Sequence, residues 1–348
     1  MSIHQKKWYS TELPSDDVVV STRIRLARNI IDFPFVGGLA STQIASLEDI
    51  ILSAWKKQFS NASLLRFRSM PPLLKKKLVE ENVVDRGDLL TYQSSFLLTS
   101  SSPNIFGLGL VSDHLRVIYL SKGRIMSPAM THMAELDRRL DKELSFAFSL
   151  ELGYLNANFT DVGNGINVTL LLHIPASLSN QDDDYIRKIV SEFGFSLEPV
   201  KALRDCATQG LAILSTKPFN DEKPEKIIKR LEECYHIVIN YERERKTDIL
   251  SHKGLREDAR KRVLEAYEFL KNSERLSSRE CTEALLSLRT GAVWSLIDGF
   301  DVDSFLRLYI ECQPGHIRER LEEKRLSFSR EEEERERASW ISSQLTRI

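Results

Sequence analysis

With 348 residues, 42% of them hydrophobic, the chain has apolar material for one large folded domain or two ordinary ones. Charged residues make up 28% and nearly cancel to a net charge of -1, so no global field exists for gripping nucleic acid or an anionic membrane, and neither is an expected partner. Cys206, Cys234, Cys281 and Cys312 are scattered without a Cys-x-x-Cys pair, Met1 to Leu13 lacks the apolar core of a signal peptide, and no stretch approaches a bilayer span; a zinc knuckle, a disulfide framework and a membrane anchor are all disfavoured, and a reduced, cytoplasmic setting is expected.

In chain order, Val18 to Ile24 is β-branched and reads as a buried strand. Ala40 to Gln58 carries helical spacing, with Ile44, Leu47, Ile51 and Trp55 on one stripe, and a second helix is expected across Pro72 to Glu81. Leu108 to Leu120 reads as two strands, or one bent strand, around Ser112-Asp113-His114. The spacing of Met133, Leu136, Leu140, Leu144 and Phe148 predicts one long helix from about Pro128 to Leu152. Val168 to Ile174 is another strand, and Asp184 to Phe193 a helix closed by Gly194. Beyond Tyr241 strand signals cease: Glu257 to Leu270, Ser278 to Ser287 and Val302 to Tyr309 are helical in pattern, and the charged stretch Arg318 to Trp340 reads as a solvated helix laced with ion pairs. A mixed α+β domain over residues 1–245 followed by a helical domain over residues 246–348 is the expected organisation.

Three places carry chemistry. In Ser21-Thr22-Arg23-Ile24-Arg25, strand alternation puts Arg23 and Arg25 on one face and Ile24 in the core. Two adjacent guanidinium groups repel unless an anion lies between them; phosphate oxygens suit their forks, and local carboxylates on an edge strand are the plainer alternative. In Ser112-Asp113-His114-Leu115-Arg116, His114 and Arg116 have strand spacing to meet the same polyanion, or else form a surface turn with a satisfied histidine. Thr160-Asp161-Val162-Gly163-Asn164-Gly165 is a small polar loop whose glycines permit close approach to a ligand, or simply a tight turn.

Taken in order, these pieces resemble the ATP:guanidino phosphotransferase (phosphagen kinase) family, and most of all its bacterial protein-arginine kinases. Val19 to Phe35 (VVSTRIRLARNIIDFPF) is similar to the family's SSRIRLARN-x-x-x-FPF motif, and Asp113 to Val117 to the end of its NEEDHLRV segment. Leu136 to Leu155 resembles the helix and turn before the family's CPTN loop, Val162 to Gly165 and His173 to Ala176 resemble the segments beyond that loop, and Leu276 to Gly291 with Gln313-Pro314-Gly315 resembles the helical C-terminal domain of the bacterial branch. The resemblance implies an antiparallel sheet core flanked by helices, ATP with Mg as phosphoryl donor, arginine in a protein as acceptor, and a phosphate site at Ser21, Thr22, Arg23, Ile24, Arg25 and Arg116. It also implies partners of a stress-response, Clp-type system and a possible homodimer.

The same resemblance locates departures. Leu110, Val111 and Ser112 stand at the Asn-Glu-Glu positions of NEEDH, whose glutamates orient the acceptor guanidinium and take its proton. Asn158, Phe159, Thr160 and Asp161 stand at the CPTN loop, and Asn167 replaces a phosphate-binding arginine. Glu198 to Leu203 shows neither the arginine nor the glutamate of the RG-x-x-GE loop, with Lys201 or Arg204 as candidate substitutes. Glu333 to Ala338 (EERERA) stands where the branch has a phosphoarginine-binding Arg-Asp-x-x-Arg-Ala, and Glu333 would repel a phosphate. The expectation is weakened or lost catalysis, Asp113 and Asp161 being candidate replacement carboxylates, with a nucleotide-binding pseudokinase as the alternative.

Overall fold

In the computed structural model the described residues are 7–11, 16–91, 93–158, 161–178, 183–201, 207–217 and 222–345. The β-branched run forms β1 (Val19–Arg28), the centre of an eight-stranded sheet. The sequence order of the other strands is β2 (Leu64–Arg66), β3 (Phe96–Leu98), β4 (Ile105–Gly109), β5 (Leu115–Lys122), β8 (Ile166–His173), β9 (Phe195–Lys201) and β10 (Ala207–Thr216), with β6 (Phe148–Ser149) and β7 (Gly153–Tyr154) forming a separate small hairpin. Across the large sheet the order is β2-β3-β4-β5-β1-β8-β10-β9, and its paired neighbours are antiparallel.

Strand alternation divides the sheet between two cores. Ile24, Leu26, Val117, Val168 and Leu170 point to one face. There they meet α1 (Ser41–Gln58), α4 (Ser127–Leu144), α5 (Asp183–Glu192) and the first half of α6 (Pro224–Ser251). On the other face Val20, Ile118, Leu120 and Leu211 pack with C-terminal helices: α7 (Lys253–Asn272), α8 (Ser278–Val293), α9 (Phe305–Glu311), α10 (Pro314–Glu323) and α11 (Arg330–Leu345). Arg289 of α8 fastens the two layers: buried to 1% exposure, it donates to His173 Nδ1 at 2.7 Å and to the Asp16 carbonyl at 2.9 Å. Packed on α10, α2 (Pro72–Glu80) leads through Val83 and Val84, both buried in the second core, to the short α3 (Asp88–Thr91).

Two long-helix expectations are corrected. The helix expected to reach Leu152 ends at Leu144, because Ser145 turns left-handed (φ 50°) with its N–H on the Asp141 carbonyl, and the Asp141 side chain takes the Phe146 N–H at 2.8 Å. Phe148 therefore leaves the apolar stripe and is 53% exposed, edge-on to Tyr154 across the small hairpin. The charged stretch from Arg318 is two helices, α10 and α11, with Arg325 at φ 59° in the break. Its solvated face is real, since Glu331 and Glu332 pair with Arg335 and Glu334 with Arg330. Yet Glu333 is buried against Arg318 Nε at 2.5 Å, and Arg337 is buried, donating to the carbonyls of Cys312 and Leu276. Helix α6 runs unbroken through residue 245.

Candidate functional site

The sheet face shared with the C-terminal helices is apolar at one end and basic at the other. Arg23 and Arg25 lie there on β1, and Arg116 on β5 lies opposite Ala27, one pair further along. Arg25 is flanked by Ile118 on β5 and Asn167 on β8. Asn167 is tied into a neutral ladder, donating to Thr216 Oγ1 at 3.2 Å and accepting from Thr169 Oγ1 at 3.0 Å. The row thus contains three guanidinium groups, with an amide where a fourth is expected.

Each arginine is met by carboxylate. Arg23 Nη2 donates to Asp85 Oδ2 at 3.2 Å, and Arg25 Nη2 to Asp161 Oδ1 at 2.5 Å. Arg116 donates through Nη1 to Asp88 Oδ1 at 3.0 Å, through Nε to Asp113 Oδ2 at 3.4 Å, and through Nη2 to Ser112 Oγ. Burial pushes the Arg25 pKa down despite the pull of Asp161, with Arg116 and Arg23 adding like-charge repulsion. Burial likewise raises Asp161 against the attraction of Arg25, and Asp88 against that of Arg116. Arg25 and Asp161 are thus both displaced toward neutrality, as is Asp88, because desolvation outweighs attraction at each of them. The Nε atoms of Arg23 and Arg25 and the Oδ2 atoms of Asp88 and Asp161 are buried without hydrogen-bond partners, so unsatisfied polar atoms gather on this row.

Asp85 comes from the turn after α2 and Asp88 opens α3, and the sequence patterns do not single them out. Nothing local marks Asp85-Arg86-Gly87-Asp88 as more than a polar turn; the buried Val83 and Val84 bring it over the sheet.

The expected site residues divide by strand parity. Ser21 shares the face of Arg23 and is buried at 8% exposure. Thr22 and Ile24 lie on the opposite, core-facing side, and the Thr22 hydroxyl donates to the Gly123 carbonyl at 2.7 Å. Asp161 reaches the row, but as counter-ion to Arg25. Asp113 is fully buried and its carboxylate is filled: it accepts from Asn29 Nδ2 and the Ala157 N–H, both at 2.9 Å, from Ser112 Oγ at 3.0 Å, and from Arg116.

His114 does not accompany Arg116, because β5 begins only at Leu115 and the histidine precedes the alternating strand. Its ring is buried among the residues that leave β1, with Nδ1 accepting the Ile30 N–H at 2.9 Å and Nε2 2.8 Å from the Pro34 carbonyl. The second contact requires the proton on Nε2, which fixes the neutral tautomer; burial lowers the pKa. Asn29 closes the knot, accepting the His114 N–H at 2.9 Å while donating to Asp113. Asp-His and Arg-Asn-x-x-x-Phe-Pro-Phe are thus two halves of one polar joint.

Arg28 is pinned beside it. Its guanidinium forks onto Asp137 at 3.0 and 2.7 Å, donates to the carbonyls of Ala27 and Asn164, and stacks 3.6 Å from the centre of the Tyr154 ring. Gly165, at φ 66°, passes so close that a Cβ there would lie 2.4 Å from Arg28 Nη1 and 2.7 Å from the Ala27 carbonyl. The glycine of this loop serves packing.

The expected glutamate positions hold no acid. Val111 is buried in the second core, and Ser112 spends its hydroxyl on Asp113 and Arg116. Glu198, in the segment expected to supply the RG-x-x-GE loop, lies 3.9 Å from Arg187. Phe159, Thr160 and Arg204 lie outside the described residues, as does Cys206; Cys234, Cys281 and Cys312 are buried free thiols. Among the described residues no group of three or more His, Cys, Asp or Glu is placed to hold a metal ion, and no helix is long and apolar enough to cross a membrane.

Residues 46–245 match the C-terminal catalytic domain of ATP:guanido phosphotransferase, and the chain belongs to that family. Residues 256–348 match the C-terminal domain of the protein-arginine kinase McsB, placing the resemblance within the protein-arginine kinase branch. A protein-arginine kinase of Geobacillus sp. is 28% identical over 318 residues, covering 90% of this chain and 87% of the relative. One from Bacillus cereus is 25% identical over 320 residues, covering 90% and 88%. Among solved structures, the duplicated taurocyamine kinase of Schistosoma mansoni with bound transition-state-analogue components superposes with a TM-score of 0.60 at 20% identity, over 70% of this chain and 36% of that one. A lombricine kinase gives 0.58 at 14% identity, over 67% and 70%. These likenesses establish the antiparallel guanidino-kinase fold.

Proposed function

We propose that the chain binds Mg-ATP on the row of Arg23, Arg25 and Arg116, and that its transfer of phosphate to protein arginine is slow or lost. The observation that carries this reading is the placement of three guanidinium groups on one end of a sheet face, two with unpartnered buried Nε–H groups, while the two glutamate positions hold Val111 and Ser112. Polyphosphate is the anion whose charge and oxygen count suit such a row. Magnesium would travel with the nucleotide, where it offsets phosphate charge. An arginine acceptor has a pKa above about 12 and must lose a proton to become a nucleophile, and loss of a positioned proton acceptor costs about 10²- to 10⁴-fold in rate. Asp113, with its acceptors filled, is a positioning residue for Arg116 in this reading. A cytoplasmic protein that touches a protein substrate or partner completes it.

A second reading, a pseudokinase that binds nucleotide to regulate a partner, is favoured by the ion-pairing of Asp161 and the burial of Asp113. The two separate in one experiment. Isothermal calorimetry with Mg-ATP should give measurable binding that Arg25→Ala weakens by about 10-fold or more, a loss of one charge-assisted contact. Labelled γ-phosphate should then reach basic protein acceptors slowly, on an acid-labile site, if the enzyme reading holds, and not at all if the pseudokinase reading holds. Absence of any nucleotide binding would sink both.

A further inference from the structure

The row holds more acid than base: Arg23, Arg25 and Arg116 face Asp85, Asp88, Asp113 and Asp161. The four carboxylates are not equivalent. Asp85 has a half-exposed side chain, and both oxygens of Asp113 are occupied by donors. Asp88 and Asp161 are different: at 8% and 6% exposure, each gives Oδ1 to an arginine and keeps Oδ2 buried without a partner. Their partners Arg116 and Arg25 are neighbours on adjacent strands, Arg25 lying opposite Ile118 and Arg116 two residues before it on β5.

We propose, resting on the nucleotide reading above, that Asp88 and Asp161 form a guanidinium-binding pair that phosphate unmasks by exchanging counter-ions. Phosphate oxygens arriving on Arg25 and Arg116 take over the donors that Asp88 and Asp161 now accept. The released carboxylates are buried, and an unpaired buried charge is strongly unfavourable. A planar guanidinium, with donors on two edges, satisfies two carboxylates at once, which a single ammonium does less well. The ligand class is therefore an arginine side chain, and Asp88, which opens α3, takes the place of acid that Val111 and Ser112 no longer supply. Nucleotide and arginine then bind with positive coupling, each strengthening the other equally.

The test uses the full chain, the non-transferable analogue Mg-adenylyl imidodiphosphate, and N-acetyl-arginine amide as guanidinium probe, with the lysine equivalent as control. Calorimetry should show the arginine probe binding about 5-fold or more tightly in the presence of the analogue. Asp88→Asn and Asp161→Asn should each abolish that gain while nucleotide affinity stays level or rises, since a competing carboxylate has gone. Asp88→Glu, which keeps the charge, should retain arginine binding and so separates recognition from mere support of the fold. Unchanged arginine binding in both Asn variants, equal binding of the lysine probe, or an analogue that binds without altering the arginine affinity would each overturn the pair. An analogue that fails to bind the unaltered chain would instead overturn the nucleotide reading beneath it.

Discussion

The polar joint at the end of β1 and the arginine row a few residues earlier are both clusters of buried polar side chains, yet they are finished differently. At the joint, Asn29, Asp113 and His114 lie buried and pair with one another and with nearby backbone. On the row, Arg23, Arg25, Asp88 and Asp161 each carry a buried polar atom without a partner. A saturated network specifies one geometry; an unsaturated one retains free energy that a ligand can recover. In the proposed reading, hydrogen-bond completeness rather than closeness to a motif separates the supporting joint from the binding row.

Asp113→Ala breaks this comparison most sharply. It removes a filled buried carboxylate, leaves the Ala157 N–H without its acceptor and takes one partner each from Arg116 and Asn29, so a loss of about 3–5 kcal/mol is expected in urea unfolding. Asp85→Asn, at a nominally similar ion pair with a half-exposed acid, should cost less than about 1 kcal/mol in the same assay. Equal losses would erase the distinction. Gly165→Ala should cost about 1–3 kcal/mol, since its Cβ would strike Arg28 and the Ala27 carbonyl from a left-handed backbone; a neutral result would mean that the loop can move away from Arg28.

The two regions should also respond to pH with opposite signs. His114 is held below its ordinary 6.5 by burial, so the unfolded chain binds its proton first. The joint's contribution is present above about 6.5 and falls as the pH drops below it, and His114→Gln should flatten that limb. Asp88 and Asp161 are raised from 3.8, so their contribution is full below 3.8 and is lost as pH rises through their folded values. Asp88→Asn should reduce this second dependence. Unfolding free energies measured across both limbs, with matching slopes in the two variants, would refute the assignment. The smallest effect belongs to the surface: Arg335→Ala, on α11, removes exposed pairs with Glu331 and Glu332 and should change stability by less than about 1 kcal/mol.

Much of this fold is legible from residue patterns. The β-branched run of β1, the Ile44-Leu47-Ile51-Trp55 stripe of α1 and the strand before Pro175 are local features, and the structure places them as periodicity implies. The family motifs locate the arginines. Two things are not local. The end of α4 depends on Asp141 reaching over Phe146, a choice that a continuing apolar stripe hides. The turn at Asp85 to Asp88 meets the row only because Val83 and Val84 anchor it in a core assembled from distant segments. Likewise, the inward destiny of Asp113 and His114 depends on the strand starting one residue later, at Leu115.

The division of one sheet face between arginines and C-terminal helices has a practical consequence. Val20, Ile118, Leu120 and Leu211 share their core with Trp8, Tyr9 and Val83 from before α6, and with Leu285, Leu288, Phe305 and Leu308 from after it. A chain cut after residue 245 would sever α6 in mid-helix and strip that half of the face of the cover that α7 to α11 supply. The product would carry a basic end next to a newly exposed apolar one, a surface that favours self-association over solubility.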